Sequence, residues 1–361
     1  MHLNFINIFK KKPHRANSRK IIHITRFFEK KKYGGIEEVI RQISLKSKYK
    51  HEILSISSKR KNVKISKNLF SKTFVKSFKI FGDFFSYDLL KYLYYSKNEY
   101  NIIHIHYPHV FAFLYILLLP IKKNIIVTHH SDILKYKFIY FFVYLIKKFT
   151  LKYINYFHIS SKTYFKNSEI KNYKNKTLIE FFSIKPNKKK IKVKSNKKYV
   201  LFISRVSHYK GFNLLEKIIN GLPKINFICI TNYKFKKKFK NVKIYKNISN
   251  LKKIFLIANC RIILSTSTSR GESFGMSLVE GLSMNKPLIA FDIKTGINEL
   301  IKNKKNGFLI KNFNIEEYCK RIKLIYENDN LFRKFSKYSK SHYNLINTKY
   351  KKLERVYDSL I

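Results

Sequence analysis

The chain contains no tryptophan and only three cysteines, Cys229, Cys260 and Cys319, which lie far apart and form no C-x-x-C pair. This spacing argues against a disulfide framework and against a cysteine-ligated zinc site. The chain also lacks internal repeats of solenoid length, which argues against a repeat architecture. We therefore expect a globular protein of the cytoplasm.

Acidic residues are scarce as well, because 21 aspartates and glutamates stand against 76 lysines and arginines, and the formal charge is +55. The basic residues recur along the whole chain, together with many Asn, Ile, Phe and Tyr residues. A genome biased toward A and T explains this combination without selection for a polyanion. Attraction to an anionic membrane surface and binding to nucleic acid are the two functional alternatives.

Long hydrophobic runs are missing, since no stretch reaches the roughly 18 apolar residues that a membrane-spanning helix needs. The nearest candidates, residues 110–121 and 138–146, are short and are followed by lysines. They are expected either as buried core helices or as an aromatic and basic face resting on a membrane. Residues 1–19 carry a short apolar run without a small-residue cleavage site, so we expect a leader segment and not a signal peptide.

Short apolar runs alternate with amphipathic stretches, and 361 residues suit two medium-sized domains. Strands that alternate with helices predict βαβ units and parallel sheets. We therefore predict an α/β protein with two Rossmann-like domains whose parallel sheets face a central cleft. The predicted strands cover residues 20–25, 51–58, 101–107, 124–130 and 156–161, and then 199–204, 225–230, 260–267 and 287–292.

A passage rich in lysine and asparagine, residues 185–198, has little apolar content and is predicted to link the two domains. The amino-terminal domain is predicted over residues 20–186 and the carboxyl-terminal domain over residues 187–346. The last segment, residues 347–361, is predicted to be helical from the spacing of its apolar residues.

Two of the scarce acids, Glu272 and Glu280, are separated by seven residues in the segment ESFGMSLVE, around a predicted helix start. Between them lie the N–H groups of Ser273, Phe274 and Gly275. A helix N-terminus offers unpaired N–H groups and the positive end of a dipole, which suits a diphosphate. The alternative is a carboxylate that caps the helix and a second, solvated helix residue.

Two cations follow the first strand of the same domain. Arg205 and Lys210 lie five residues apart on a predicted strand-to-helix loop. Fixed cations at this edge of a sheet could neutralise a leaving diphosphate and so stabilise charge that develops in a transition state. Arg205 is the more informative of the two, because arginine is much rarer than lysine in this chain.

These motifs resemble the retaining glycosyltransferases of family 4, which have the GT-B fold and are also described as glycosyl transferases group 1. The resemblance runs over nearly the whole chain from about residue 20, and it is most specific in the carboxyl-terminal half. The matching features are the E-x7-E pair Glu272 and Glu280, Arg205, Lys210–Gly211, Gly296, Glu299, Asn306–Gly307, the pair Gly34–Gly35, and the segments NIIHIHYP and VTHHSDI.

The resemblance implies a role for each matching position of the carboxyl-terminal domain. Glu272 would contact hydroxyls of the donor sugar, and Glu280 would hold the ribose of the nucleotide. Arg205 and Lys210 would bind the diphosphate, and the amides of residues 273–275 would complete that cradle.

In the amino-terminal domain, the resemblance implies that Gly34 and Gly35 lie near the donor phosphate and the acceptor across the cleft. His130, or alternatively His129, takes the position of a histidine near the reacting sugar. The two histidines are adjacent, so their side chains are expected on opposite faces of a strand. The family's last helix crosses back to the first domain, which implies the same packing for residues 347–361. Packing of this helix on its own domain is equally consistent with the sequence.

Three features depart from the family pattern or limit it. Ser204 stands where glycine usually precedes the arginine, and residues 178–186 lack the usual Pro-Asn-Gly turn. The aspartates form no D-x-D pair, so we expect neither a metal clamp nor another cofactor, with lysine, arginine and amides stabilising the leaving group. His104 and His106 lie two residues apart on one strand and, without a third ligand in sight, are expected to be structural or to line the cleft.

The resemblance therefore implies transfer of a sugar from a nucleoside-diphosphate sugar to a saccharide or lipid-linked acceptor, with retention of configuration and without a metal. Surface polysaccharide or lipopolysaccharide assembly is the expected setting, with mannosyl transfer suggested by the histidine-bearing segments. The enzyme is expected in the cytoplasm, with peripheral contact to the inner face of the plasma membrane as an added expectation. A basic nucleic-acid-binding protein, a nucleotide-sugar epimerase and a sugar-phosphate synthase are the alternatives.

Overall fold

The computed structural model describes residues 19–28, 34–80, 82–119, 123–133, 144–146, 148–184 and 198–361. Almost all of the predicted leader and of the predicted linker lies outside these residues. Within the described ranges, no helix is both long enough and apolar enough to cross a membrane.

The first half of the chain forms one eight-stranded sheet in the order β10-β9-β8-β7-β1-β2-β4-β3. Its strand pairs are parallel except for β3 and β4, which form an antiparallel edge. The central strands are buried on both faces, as expected for parallel strands covered on each side. The strands are β1 (Lys20–Ile24), β2 (Lys50–Ser57), β3 (Lys61–Ser66), β4 (Leu69–Val75), β7 (Ile102–Tyr107), β8 (Asn124–His129), β9 (Ile154–Ile159) and β10 (Thr177–Ile179), and a small hairpin adds β5 (Phe78–Ile80) and β6 (Asp83–Phe85).

The second half forms a six-stranded parallel sheet in the order β13-β12-β11-β14-β15-β16. Its strands are short apolar runs whose side chains lie mostly in the core. They are β11 (Val200–Ile203), β12 (Phe227–Ile230), β13 (Val242–Tyr245), β14 (Ile262–Ser265), β15 (Leu288–Phe291) and β16 (Gly307–Ile310). The predicted architecture of two α/β domains with parallel sheets is confirmed.

Helices connect the strands in both halves, and their buried residues recur at helical spacing. In the first half they are α1 (Gly35–Lys46), α2 (Tyr87–Tyr95), α3 (Phe111–Leu118) and α4 (Lys162–Phe165). In the second half they are α5 (Phe212–Asn220), α6 (Asn250–Asn259), α7 (Met276–Ser283), α8 (Ile297–Leu300), α9 (Ile315–Glu327), α10 (Asp329–Ile346) and α11 (Lys351–Leu360).

The last helix, α11, contacts the first sheet although the whole second domain precedes it in the chain. The hydroxyl of Tyr357 lies 2.6 Å from Nδ1 of His104 on β7. The buried carboxylate of Glu180 accepts hydrogen bonds from the backbone N–H groups of Lys352 and Leu353, at 2.9 and 2.8 Å. An acceptor from the first domain thus satisfies N–H groups that the first turn of a helix leaves unpaired.

Polar contacts join the two domains on the carboxyl side of the sheets. The guanidinium of Arg270 binds Asp132 at 3.0 Å. The carboxylate of Glu299 accepts from the hydroxyl of Ser161 and the N–H of Thr163, at 2.8 and 2.6 Å. The hydroxyl of Ser273 donates to the carbonyl of His130. These bonds bring the loops that follow several strands of both sheets to one junction.

Candidate active site

The loop between β14 and α7 carries Glu272 and ends at Gly275, the residue before the helix. Gly275 has φ of 82°, a left-handed conformation that favours glycine, and a Cβ there would meet Ile297 at 3.2 Å. Glu272 accepts from the Gly275 N–H at 3.1 Å and from the Ser267 hydroxyl at 3.1 Å. The Gly275 N–H group was expected to be unpaired, but it donates to Glu272. The Glu272 carboxylate therefore caps the start of the helix, as the alternative interpretation predicted in part.

Lys210 forms an ion pair with Glu272 from a single turn of 3₁₀ helix, His208–Lys210. The next residue, Gly211, has φ of 62°, and a Cβ there would lie 2.0 Å from the Thr266 carbonyl. Glycine is therefore required where this turn meets the loop after β14. Burial alone would lower the pKa of Lys210, but the adjacent Glu272 carboxylate raises it above its usual value. The ammonium stays charged.

Glu280 lies farther along α7 and pairs with a different lysine. Its carboxylate is 2.5 Å from the ammonium of Lys253, which projects from α6. Lys253 was not predicted as a site residue, because one lysine among so many carries little information. The two glutamates of the E-x7-E pair are thus each held by a separate lysine.

The Gly34–Gly35 turn of the first domain lies close to Arg205 and Met276 of the second domain, across the cleft. A Cβ on Gly34 would lie 2.7 Å from the Arg205 guanidinium, and one on Gly35 would lie 3.2 Å from the Met276 side chain. Glu37, in the first turn of α1, lies 3.9 Å from Arg205. The Arg205 side chain is 71% exposed, so this cation still faces solvent. The start of α1 therefore packs against the start of α7.

His129 and His130 have different partners, as expected for neighbours on a strand. Nε2 of His129 bonds Asp132 at 2.8 Å, and its ring stacks on Tyr107 at 4.9 Å. Burial would raise the pKa of Asp132, but the His129 bond and charge lower it below its usual value. Nε2 of His130 lies 2.9 Å from Nδ1 of His106.

Ser273 and Phe274 connect the helix start to the domain junction. The Phe274 ring is buried and contacts Phe181 and Phe182 edge to face, at centroid distances of 5.0 and 5.5 Å. The Ser273 carbonyl accepts from the N–H of Gly296 at 2.8 Å. The side chain of Phe274 therefore supports the junction, and only its backbone is available for a ligand.

The structure thus brings together at one cleft the predicted site residues Gly34, Gly35, His130, Arg205, Lys210, Glu272, Ser273, Phe274 and Gly275, and it places Glu280 farther along α7, paired with Lys253. Sequence reasoning missed Lys253 and the Asp132–Arg270 ion pair. The latter joins residues of two domains, and no local pattern marks such a pairing.

The sequence of this chain is similar to those of known proteins. Residues 183–342 match the family described as glycosyl transferases group 1. The O-antigen chain mannosyltransferase C of Escherichia coli is 22% identical over 348 residues, which is 90% of this chain and 93% of that protein.

Solved structures show the same fold. Sucrose-phosphate synthase from Thermosynechococcus elongatus superposes with a TM-score of 0.75 at 12% identity, over 95% of this chain and 99% of the other. Anabaena HepE, solved in complex with UDP and glucose, superposes with a TM-score of 0.71 at 15% identity, over 95% and 99% of the two chains.

Two facing α/β domains with their loops at a shared cleft define the GT-B fold. Residues 183–342 are similar to the glycosyl transferases group 1, and the protein is a glycosyltransferase that depends on a nucleotide sugar. The comparisons support this prediction and do not support the nucleic-acid-binding alternative.

Proposed function

We propose that the enzyme moves a sugar from a nucleoside-diphosphate sugar to a saccharide or lipid-linked acceptor, with retention of anomeric configuration. The observation that carries this proposal is the Lys210–Glu272 ion pair before α7, opposite the Gly34–Gly35 turn. It combines a charged lysine for a diphosphate with a carboxylate for sugar hydroxyls at one place in the cleft.

Donor binding rearranges this pair in the proposal. The diphosphate replaces Glu272 as the ion-pair partner of the Lys210 ammonium. Arg205, whose side chain is already exposed, binds the diphosphate from the other side. Glu272 then accepts hydrogen bonds from sugar hydroxyls, and Glu280 accepts them from the ribose. The amides of Ser273 and Phe274 complete the cradle at the helix N-terminus.

Catalysis in this scheme rests on positioning and on charge stabilisation. Fixed cations that meet a departing diphosphate cost no reorganisation at the moment of bond cleavage, which is why preorganised charge accelerates reactions. We propose that Lys210 and Arg205 supply this charge without a metal. Three contacts between the domains, Ser161–Glu299, Ser273–His130 and Arg270–Asp132, close the domain junction and favour a water-poor site.

The acceptor occupies the amino-terminal domain in this proposal, and surface-polysaccharide assembly is its setting. The E. coli relative is an O-antigen chain mannosyltransferase, which supports a mannosyl donor and a lipid-linked glycan as the first candidates. Exposed apolar side chains of this domain, such as Tyr95, Leu118 and Phe149, lie among many lysines. They support peripheral contact with an anionic membrane at the cytoplasmic face.

The test is a panel of nucleotide sugars against the purified enzyme, read by thermal shift. A donor at 100 times its Kd adds about 2.7 kcal/mol to the free energy of unfolding, which is readily detected. We expect one nucleotide family to stabilise the protein and Glu280→Ala to abolish that shift. The matched control is Glu317→Ala, because Glu317 forms only an i,i+4 pair with Arg321 on α9. Absence of any shift would contradict the proposed donor site.

A further inference from the structure

A line of four histidines crosses the first sheet beneath α11 and ends at the candidate site. His51, His23, His106 and His130 belong to four neighbouring strand positions, in the spatial order β2, β1, β7 and the end of β8. Nδ1 of His51 lies 2.7 Å from Nε2 of His23. Nδ1 of His23 lies 2.9 Å from Nε2 of His106, and Nδ1 of His106 lies 2.9 Å from Nε2 of His130.

The surroundings keep all four rings neutral near pH 7. The rings are buried, and burial lowers the pKa of His23, His106 and His130 well below the usual value. Burial lowers the pKa of His51 to about 3. A neutral imidazole carries one N–H, so one nitrogen donates a hydrogen bond and the other accepts.

One nitrogen of each of His23, His104 and His106 lies within 4.8 Å of the others, a grouping that could suggest a metal site. Every nitrogen of these three rings already has a hydrogen-bond partner, however. The two nitrogens of His104 bond Tyr357 and Thr128, both at 2.6 Å. The geometry is therefore that of a hydrogen-bonded network.

Proton counting shows that the three hydrogen bonds between the rings all point the same way. Four neutral rings carry four N–H groups, and the three bonds between the rings use three of them. The inner rings, His23 and His106, each donate once and accept once, so all three bonds point the same way. The remaining N–H must lie at one end, either on Nε2 of His51 or on Nδ1 of His130.

The two ends differ in their surroundings. Nε2 of His51 is enclosed and has no hydrogen-bond partner among the residues that the structure describes. Buried N–H groups without a partner are rare, whereas an unpaired acceptor is tolerated more often. His130 keeps a small exposed area of 7% and lies at the domain junction, where its carbonyl accepts from Ser273. The remaining N–H is therefore favoured on His130.

We propose that His51, His23 and His106 are positioning residues that hold His130 as its Nδ1–H tautomer, so that His130 presents a hydrogen-bond donor to the sugar in the cleft. This inference rests on the proposed function in one respect, namely that the donor sugar lies beside His130. His130 then binds a sugar oxygen and does not take a proton from the acceptor. His106 acts on the substrate only through His130.

The direct test is ¹⁵N NMR of histidine side chains in the ligand-free enzyme, where protonated and unprotonated ring nitrogens have separate shifts. The chain has 12 histidines, and correlations from each ring to its own backbone assign their signals in the wild-type protein. We expect a protonated Nδ1 and an unprotonated Nε2 on His130. An Nε2–H tautomer of His130 in the wild-type protein would overturn the proposal, and this readout needs no variant to fold.

Three variants test the positioning role. His106→Leu removes the donor to Nε2 of His130, so we expect the Nδ1–H preference to be lost and kcat/KM to fall about three- to tenfold. His106→Asn keeps an N–H near the position of Nδ1 and should restore both. His104→Leu is the matched control, because His104 is equally buried on the same strand but bonds Tyr357 and Thr128 and not the line. It should leave the His130 tautomer unchanged.

The experiments can contradict the proposed histidine line and the proposed function independently of each other. An Nδ1–H tautomer that responds to His106→Leu, in a protein that transfers no sugar, supports the histidine line and contradicts the proposed function. Sugar transfer by a protein whose His130 tautomer is the same in His106→Leu overturns the line and leaves the proposed function intact.

Discussion

The two domains carry their polar chemistry in different places. Eight of the 12 histidines are buried in the first domain, most of them on or directly after the strands of its sheet. The sheet of the second domain is almost wholly apolar, and its charged site residues lie on the loops and helix that follow β11 and β14. The second domain therefore carries its charged groups at the edge of its sheet, whereas the first domain encloses a layer of buried histidines on which its stability depends.

Acid should produce the largest difference in stability between the two domains. The buried histidines of the first domain can bind protons, whereas the apolar sheet of the second domain cannot. Burial lowers the pKa of His51 and of His158 to about 3, and it lowers those of His23, His104, His106 and His130 well below 6.5. The unfolded chain binds protons at these positions below its pKa of about 6.5, whereas the folded chain does not. Stability is therefore complete above that pH and falls as the pH decreases.

Each such histidine costs about 1 kcal/mol between pH 6.5 and 5.5, so six of them cost several kcal/mol. Urea unfolding followed by circular dichroism at pH 7.5, 6.5 and 5.5 measures the loss. Hydrogen exchange should locate it in β1, β2, β7 and β8, with β14 and β15 losing protection later. Equal stability at pH 7.5 and 5.5 would show that these rings are not enclosed.

Lys210→Ala should produce the next largest effect, a loss of transfer rate. Removal of one preorganised group that stabilises developing charge typically lowers kcat by about 10²- to 10³-fold. The carboxylate of Glu272 also loses its ion-pair partner at the site. Steady-state kinetics with the donor found by the panel measures the effect. Lys217→Ala is the matched control, because Lys217 is exposed on α5. A loss below tenfold would remove Lys210 from the proposed mechanism.

The same difference between the domains explains what could be predicted from the sequence. The candidate site residues of the second domain lie in short local patterns, so Glu272, Glu280, Arg205 and Lys210 could be predicted as site residues from the sequence alone. The central strands were predicted because each is a short apolar run. The edge strands β3 and β13 were missed because their lysines interrupt the apolar pattern and their side chains are largely exposed.

Buried partnerships between distant residues could not be predicted. His23 pairs in register with His104, yet 81 residues separate them, and His104 and His106 were interpreted without a third histidine. Lys253 and the Asp132–Arg270 pair were missed for the same reason. Each of these pairings depends on how the strands and domains are arranged in space. Such an arrangement produces no recognisable spacing of residues in the sequence.

Tyr357→Phe should have the smallest effect. It tests whether α11 shields the histidines of the first domain from water. Burial raises the pKa of Tyr357 well above its usual value, so its hydroxyl stays protonated, and it shares a 2.6 Å hydrogen bond with Nδ1 of His104. Loss of that hydroxyl leaves a buried ring nitrogen of His104 unpaired, which costs about 1–3 kcal/mol of unfolding free energy. Urea unfolding at pH 7.5 measures it.

Tyr326→Phe is the matched control for this change. The hydroxyl of Tyr326 donates to the Lys198 carbonyl at 2.7 Å in an exposed setting, so water can replace it and the loss should stay below about 0.5 kcal/mol. The transfer rate should be unchanged in both variants, because neither hydroxyl faces the cleft residues. If the two variants lose equal stability, the hydroxyl of Tyr357 is hydrated and α11 does not seal the histidine layer. The acid sensitivity predicted for the first domain would then be weaker as well, since the same seal keeps its histidines neutral.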